Sequence, residues 1–282
     1  MEKVTVIGAG GHMGRWFSKY FVDAGYAVTG FDTEADVDSK GVEVASSLVS
    51  GILRADYVLL CTPTRRTPEI IRLIAKEMKR GAYLIDISSE KSKVISSLSR
   101  IPAKINPLCT HPMFGPGIRS LKKRNIISIP VRDAKTELAV SKKLFPGANF
   151  VTIDAAEHDK KIATILGLPH LINLCFASVT SKTSRSQLTE KMSGPTYKIQ
   201  RTLAEGIMSE SPDLIETIIS NPDMRRHAED LWKDIGRLLT AIQESKTEDV
   251  LAYVRACRER LEESSDLNAS YKKMIRMASS ID

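Results

Sequence analysis

Cysteine is scarce: four in 282 residues, at Cys61, Cys109, Cys175 and Cys257, with no CxxC pair and no cluster with histidine. That spacing excludes a zinc knuckle and a redox dithiol, and three of the four, in apolar contexts, read as small core residues. No two histidines stand four apart, so no metal site is expected. No apolar run approaches the ~18–20 residues needed to span a bilayer. An apolar strand, Val4 to Ile7, begins almost at once. The expectation is therefore a cytoplasmic protein with neither a signal peptide nor a membrane segment. The charge balance is modest, 41 Lys and Arg against 34 Asp and Glu, with the basic residues dispersed among acids. Without a basic stripe interleaved with aromatics, nucleic acid is not an expected partner. A mild positive field suits a small anionic substrate and a dinucleotide equally well. No internal repeat is evident, and the length suggests two domains.

What is present is an alternation. Apolar runs at Val4–Ile7, Tyr26–Phe31, Tyr57–Cys61 and Tyr83–Ile87 read as strands, with shorter ones near Ile126–Ile129 and Phe150–Ile153. Helical periodicity separates them at His12–Ala24, Pro68–Lys79 and Lys91–Leu98, the second stopped by Gly81. Such alternation predicts a mostly parallel sheet covered by helices on both faces. After about Asp154 the strand-like runs stop. Helical periods follow at Glu157–Ser178, Tyr197–Ser209, Leu214–Ser220, Asp223–Glu244 and Thr247–Ser265, and the residues from about Asn268 read as a frayed polar end. The expected organisation is a dinucleotide-binding α/β domain over 1–153 and an all-α domain over 154–282.

Between the first strand and the first helix stands Gly8-Ala9-Gly10-Gly11-His12-Met13-Gly14. Small residues there let a backbone approach a pyrophosphate at a helix N-terminus; a tight structural turn would use them too. The GxGxxG spacing fits imperfectly: with its last two glycines at Gly11 and Gly14, Ala9 takes the place of the first. Asp32 ends the second strand about twenty residues on, where an acid takes the adenosine ribose hydroxyls and disfavours a 2′-phosphate. That pattern is a Rossmann-type fingerprint and points to NAD; a turn aspartate is the plain alternative. Thr62-Pro63 closes the next strand and would line the nicotinamide side. In Asp86-Ile87-Ser88-Ser89-Glu90-Lys91 either serine could cap the following helix. His111-Pro112-Met113-Phe114-Gly115-Pro116 places an imidazole in the loop after a strand, where it can exchange a proton near neutral pH or simply brace a turn. Glu157-His158-Asp159 and Leu168-Pro169-His170 set two histidines about three helical turns apart, roughly on one face. Both could face a cleft between the domains, although His158 fits a helix-start residue better.

These segments, with Cys61-Thr62-Pro63, Ser193-Gly194-Pro195-Thr196-Tyr197-Lys198 and the whole run from Ala155 to Leu171, occur in the order found in prephenate dehydrogenases, and the chain resembles that family over essentially its full length. The resemblance implies NAD-dependent oxidative decarboxylation of prephenate to 4-hydroxyphenylpyruvate, with hydride leaving ring C4. It implies that His111 accepts the hydrogen bond and then the proton of the C4 hydroxyl, that Ser89 orients that hydroxyl and the imidazole, and that His170 lies in the substrate site. Many members carry an arginine that pairs with a prephenate carboxylate where this chain has Lys198, with Arg201 three residues on. Lysine lacks the bidentate fork, so carboxylate recognition rests on Lys198, Arg201 or another loop. The resemblance also implies a homodimer formed through the helical domain. Arogenate dehydrogenation is the alternative activity, and a non-catalytic NAD-sensing protein on the same fold is a more distant one.

Overall fold

The computed structural model describes residues 1–182 and 187–281. They divide into two compact units, Met1–Ile162 and Ala163–Asp282. In the first, β1 (Lys3–Ile7), β2 (Ala27–Phe31), β3 (Val42–Val44), β4 (Tyr57–Leu60), β5 (Tyr83–Asp86), β6 (Asn106–Pro112), β7 (Asn125–Ile129) and β8 (Asn149–Thr152) form one sheet. Its order is β3-β2-β1-β4-β5-β6-β7-β8. Every pairing is parallel except β6 with β7. The helices of this unit are α1 (His12–Asp23), α2 (Leu48–Ile52), α3 (Thr67–Ile74), α4 (Ser92–Leu98), α5 (Ala134–Leu144) and α6 (Ala155–Ile162). The α/β class expected from the alternation is the class observed.

Strand order reverses between β1 and β4, and in open parallel sheets ligands bind at such a switch point, outside the carboxyl ends of the strands. Side chains alternate across the sheet. Ile7, Val58, Leu60 and Leu84 face α3 and α4, where Ile71, Ile74, Val94 and Leu98 close the core. Val4, Val6, Leu59 and Ile85 face α1 and α5. The few aromatics concentrate on this second face. Phe17, Phe21 and Phe145 are buried and pack ring against ring at centroid distances of 5.9–6.3 Å. Each such ring contributes roughly 1.5–3 kcal/mol by leaving water.

Several expectations need correction. The strand near His111 runs on through Pro112, because β7 pairs with it antiparallel and extends it; the imidazole is in a strand, not in the loop after it. The short edge pair β3 and α2 carries too little periodicity to have been read. Helix α3 stops at Ile74, short of the expected Lys79, and Ala75–Glu77 only turn. Of the cysteines only Cys109 is buried, and Cys175 is exposed. Cys175 lies in the helix Leu168–Thr180, which is apolar round most of its circumference, so apolar neighbours do not mark its inner side.

The second unit is helical throughout its described residues. A π-helical turn, Ala163–Gly167, leads into α7 (Leu168–Thr180), followed by α8 (Gln187–Met192), α9 (Pro195–Met208), α10 (Pro212–Ile219), α11 (Met224–Gln243), α12 (Thr247–Glu262) and α13 (Leu267–Ala278). The polar end expected to fray is helix α13, capped by Asp266 on the amide of Ala269. Helix α9 packs between α7 and α13. On α11 Trp232, Ile235, Leu239 and Ile242 form an exposed apolar stripe, Trp232 being 76% exposed. By length and composition the helical stretch Ala155–Thr180 could cross a membrane. No such stretch was expected, because Thr, His and Asn interrupt its apolar residues, yet 162–180 hold no Asp, Glu, Lys or Arg.

Candidate active site

The glycine loop follows β1 and abuts the loop after β4. Gly8 has φ +82°, and a Cβ there would collide with the carbonyl of Cys61. A Cβ on Gly10 would come within 2.6 Å of the Ala35 carbonyl, and one on Gly14 would overlap the Gly8 carbonyl. At Gly11 a Cβ would meet only Gly8 O at 3.5 Å, an ordinary contact. The glycines that the backbone requires are thus Gly8, Gly10 and Gly14, one residue longer than GxGxxG. The register centred on Gly11 is overturned, and Ala9 is a buried core residue rather than a displaced first glycine. Gly11 is the N-cap of α1 and supplies no side-chain cap, and the first turn, with exposed His12 and half-buried Met13, holds no acid. The free amides of that turn are a ready anion site for a pyrophosphate.

Asp32 follows β2. Its Oδ2 accepts the Gly10 amide at 2.9 Å, and its Oδ1 accepts the amides of Glu34 and Ala35 at 2.9 and 3.1 Å. The carboxylate therefore ties the glycine loop to the turn after β2 and remains half-buried with acceptor capacity to spare. Thr62 and Pro63 lie just past β4. The Thr62 and Thr67 hydroxyls share a hydrogen bond of 3.0 Å, and Pro63 O accepts from Thr67.

A buried polar cluster occupies the carboxyl ends of β5 and β6. Lys91 is completely buried; its Nζ donates at 2.6 Å both to Asp86 Oδ2 and to the Thr110 carbonyl. Asp86, also fully buried, accepts in addition the Ser88 amide and hydroxyl. Charges in such a place persist only when paired and fully hydrogen-bonded, as these are. Neither Ser88 nor Ser89 caps α4. The cap comes from Asp159 on α6, which accepts the amides of Lys91 and Ser92 at 2.9 and 2.8 Å and the Ser92 hydroxyl. Burial opposes ionisation of Asp159, but these donors and His158 overcome it and hold its carboxyl below the usual range.

His111 is 4% exposed. Its Nδ1 lies 3.0 Å from His158 Nε2, and His158 Nδ1 lies 2.8 Å from Asp159 Oδ1. Burial, then the charge of Lys91 and the neighbouring His158, push the His111 pKa well below its ordinary value, against a smaller upward pull from Asp159. His111 is a neutral imidazole at neutral pH. Ser89, expected to orient it, is half-buried and makes no hydrogen bond among the described residues; His158 holds that nitrogen instead. Sequence reasoning missed Asp86, Lys91, His158 and Asp159. The sequence showed only Glu157-His158-Asp159 at a helix start, and nothing local marked those side chains as buried.

In the second unit His170, also 4% exposed, sits on α7. Nδ1 is 2.7 Å from the Leu166 carbonyl, and Nε2 is 3.2 Å from Glu210 Oε2. Burial works against its charge, but Glu210 and that carbonyl prevail and raise its pKa above the ordinary value. His158 is buried within the first unit against His111 and Asp159. Along α9, half-buried Lys198 and Arg201 stand three residues apart, and Arg201 Nε is engaged by Glu205 at 2.9 Å. Gln200 donates to Asn173 on α7 at 2.9 Å, tying the two helices together. Among the described residues no cluster of histidine, cysteine and acids suits a metal ion.

A profile of the prephenate dehydrogenase nucleotide-binding domain matches residues 23–126, and one of the prephenate dehydrogenase dimerization domain matches 154–256. The first span begins past the glycine loop and takes in Asp32, Asp86, Lys91 and His111; the second takes in His158, Asp159, His170, Lys198 and Arg201. The chain is 26% identical over 235 residues to the probable arogenate/prephenate dehydrogenase of Methanocaldococcus jannaschii, covering 79% of this chain and 52% of that one. It is 28% identical over 183 residues to the 4-amino-4-deoxyprephenate dehydrogenase of Streptomyces pristinaespiralis, 62% of each chain. The chain thus matches only about half to three-fifths of the length of these relatives. Prephenate dehydrogenase from A. aeolicus, solved with hydroxyphenyl propionate and NAD+, shares the fold at a TM-score of 0.68 and 20% identity, over 94% of this chain and 99% of that one.

Proposed function

Because the chain belongs to the prephenate dehydrogenase family, we propose that it converts prephenate to 4-hydroxyphenylpyruvate and CO₂ with NAD as the oxidant. The observation that carries this reading is His111, a buried imidazole held neutral at the carboxyl edge of the sheet. The reaction needs a base there. When bound, NAD supplies the acceptor for the hydride that leaves ring C4. His111 takes the proton of the C4 hydroxyl as a carbonyl forms at that carbon. When the ring carboxylate leaves as CO₂, the ring becomes aromatic and its oxygen recovers the proton from His111. Overall no proton is released, so His111 must be able both to accept and to return it.

Gly8, Gly10 and Gly14 leave room for the pyrophosphate beside the amides of His12 and Met13. Asp32 would take the adenosine ribose hydroxyls and repel a 2′-phosphate, which favours NAD over NADP. Thr62 and Pro63 would border the nicotinamide. Lys198, with Arg201 beside it, would meet a substrate carboxylate. His170 would do so through Nε2, with the carboxylate taking the place of Glu210. On this reading 1–153 bind the cofactor, and 154–282 bind substrate and form a homodimer, in which the apolar stripe on α11 would be covered. The enzyme would work in the cytoplasm without nucleic acid or membrane.

The relatives divide between prephenate, arogenate and 4-amino-4-deoxyprephenate, and arogenate is the second reading. Lys198 at the position of the usual arginine favours keeping it open. The deciding experiment is NAD and NADP reduction by the purified chain with each of the three substrates. Highest kcat/KM with prephenate and NAD supports the proposal; preference for arogenate replaces it; no turnover of any of them overturns it.

A further inference from the structure

Asp159 is saturated. Its two oxygens accept the Lys91 amide, the Ser92 amide, the Ser92 hydroxyl and, at 2.8 Å, the Nδ1 side of His158. An ionised carboxylate is acceptor-only, so His158 must carry its proton on Nδ1. A neutral imidazole has one such proton, which leaves His158 Nε2 an acceptor. The 3.0 Å contact then requires His111 to donate from Nδ1. His111 Nε2 is left with its lone pair and has no hydrogen-bond partner among the described residues. His111 Nε2 is thus left free to accept a proton.

We propose that Asp159 and His158 are positioning residues that set the tautomer of His111, keeping its proton on Nδ1 so that Nε2 faces the substrate hydroxyl as a base. The inference rests on the role given to His111 in the proposed function. It assigns to Glu157-His158-Asp159 more than a helix start. It also explains why an acid on α6, 68 residues from Lys91 in sequence, caps α4 in place of the nearby serines. The cap fixes the carboxylate, the carboxylate fixes His158, and His158 fixes His111. With the opposite tautomer at His158, its Nε2–H would donate to His111 Nδ1, the proton of His111 would sit on Nε2, and the base would be lost. Among the described residues, the groups facing this couple include Lys91 with Asp86 at the end of β5, Cys109 on β6 and Asp159 on α6. When His111 takes up the substrate proton, the Asp159 charge stabilises the cation through His158, as the buried acid does in a hydrolase triad.

Asp159→Asn gives up one capping bond whichever way its amide lies, because each Asp159 oxygen accepts a backbone amide. With its nitrogen toward His158 it donates to Nδ1, moves the His158 proton to Nε2 and puts the wrong tautomer on His111, so the tautomer itself, read directly, separates this role from capping. The chain has five histidines, few enough for nitrogen-15 NMR of labelled imidazoles on the whole protein. The wild type is expected to show His111 protonated on Nδ1 and bare on Nε2, and Asp159→Asn the reverse. Kcat of Asp159→Asn should fall about 10–100-fold, the range when an imidazole loses its orienting partner, with the KM of substrate and of NAD unchanged. His158→Gln, whose carbonyl still accepts from Nδ1–H, should lose less than Asp159→Asn. A wild-type His111 protonated on Nε2 overturns the inference whatever any variant does. So does a folded Asp159→Asn with unchanged kcat, or a loss confined to KM. A wild type that oxidises none of the three substrates while His111 shows the Nδ1–H tautomer would sink the proposed function and support this assignment.

Discussion

His111 in the sheet unit and His170 in the helical unit are equally buried, each 4% exposed, and the protein makes them opposites. His111 faces a second imidazole that must accept, with the fully buried ammonium of Lys91 nearby, so it stays neutral. His170 lies between a backbone carbonyl and a carboxylate, both of which only accept. Both surroundings favour nitrogens that donate, and they raise its pKa and favour the imidazolium. Burial alone would strip the charge from both. What differs is the inventory of partners, and the two side chains are suited to different work: a neutral ring can take a proton, and a charged one can hold an anion.

The largest expected effect tests the first half of that contrast. His111→Asn should lower kcat by ~10²–10⁴-fold, the usual contribution of a general base, with NAD affinity unchanged by fluorescence titration. A loss below about fivefold would be well short of that range and would return His111 to a structural brace. The second half predicts a different signature. Lys198→Ala and His170→Asn should each raise the KM for the dianionic substrate about 10–100-fold through loss of a charge-assisted hydrogen bond, with kcat changed far less. Arg201→Ala should do less, because Glu205 already engages that guanidinium. If His170→Asn lost kcat as His111→Asn does, the division of labour would be wrong.

A smaller effect is expected at the cofactor. Asp32→Ala should narrow the preference for NAD over NADP by about tenfold, or ~1.4 kcal/mol, read from kcat/KM with each cofactor. Equal efficiency with both in the unaltered chain would remove the basis for it. The smallest effect is in stability against pH, where the two histidines should pull in opposite directions. His170 has a raised folded pKa, so its contribution is complete below about 6.5 and is lost as pH rises through the raised value. His111 has a lowered one, so the native state refuses a proton that the unfolded chain takes, and stability is lost as pH falls below about 6.5. In melting curves across about pH 5–8, Glu210→Gln should flatten the alkaline side and His111→Asn the acid side. Glu210 is 36% exposed, so its share is small.

Much of this was legible along the chain. Strand and helix alternation, the change to helices near Asp154, the small residues after β1 and the acid after β2 are local patterns, and local patterns report backbone geometry. Even there the limits were physical. Whether Gly10 or Gly11 is required depends on Ala35, which no spacing rule contains, and the strand through His111 is lengthened by β7, a neighbour from further along.

The sequence by itself determined the α/β class, the run of small residues after β1 and the candidate histidine at His111, because periodicity, glycine and short motifs act within a few residues. Only the tertiary structure decided which groups are charged. Lys91 meets Asp159 across 68 residues, His111 meets His158 across 47 and His170 meets Glu210 across 40. A proton's position is set by whatever acceptors and charges surround it once water is excluded, and those neighbours come together only when the chain has folded.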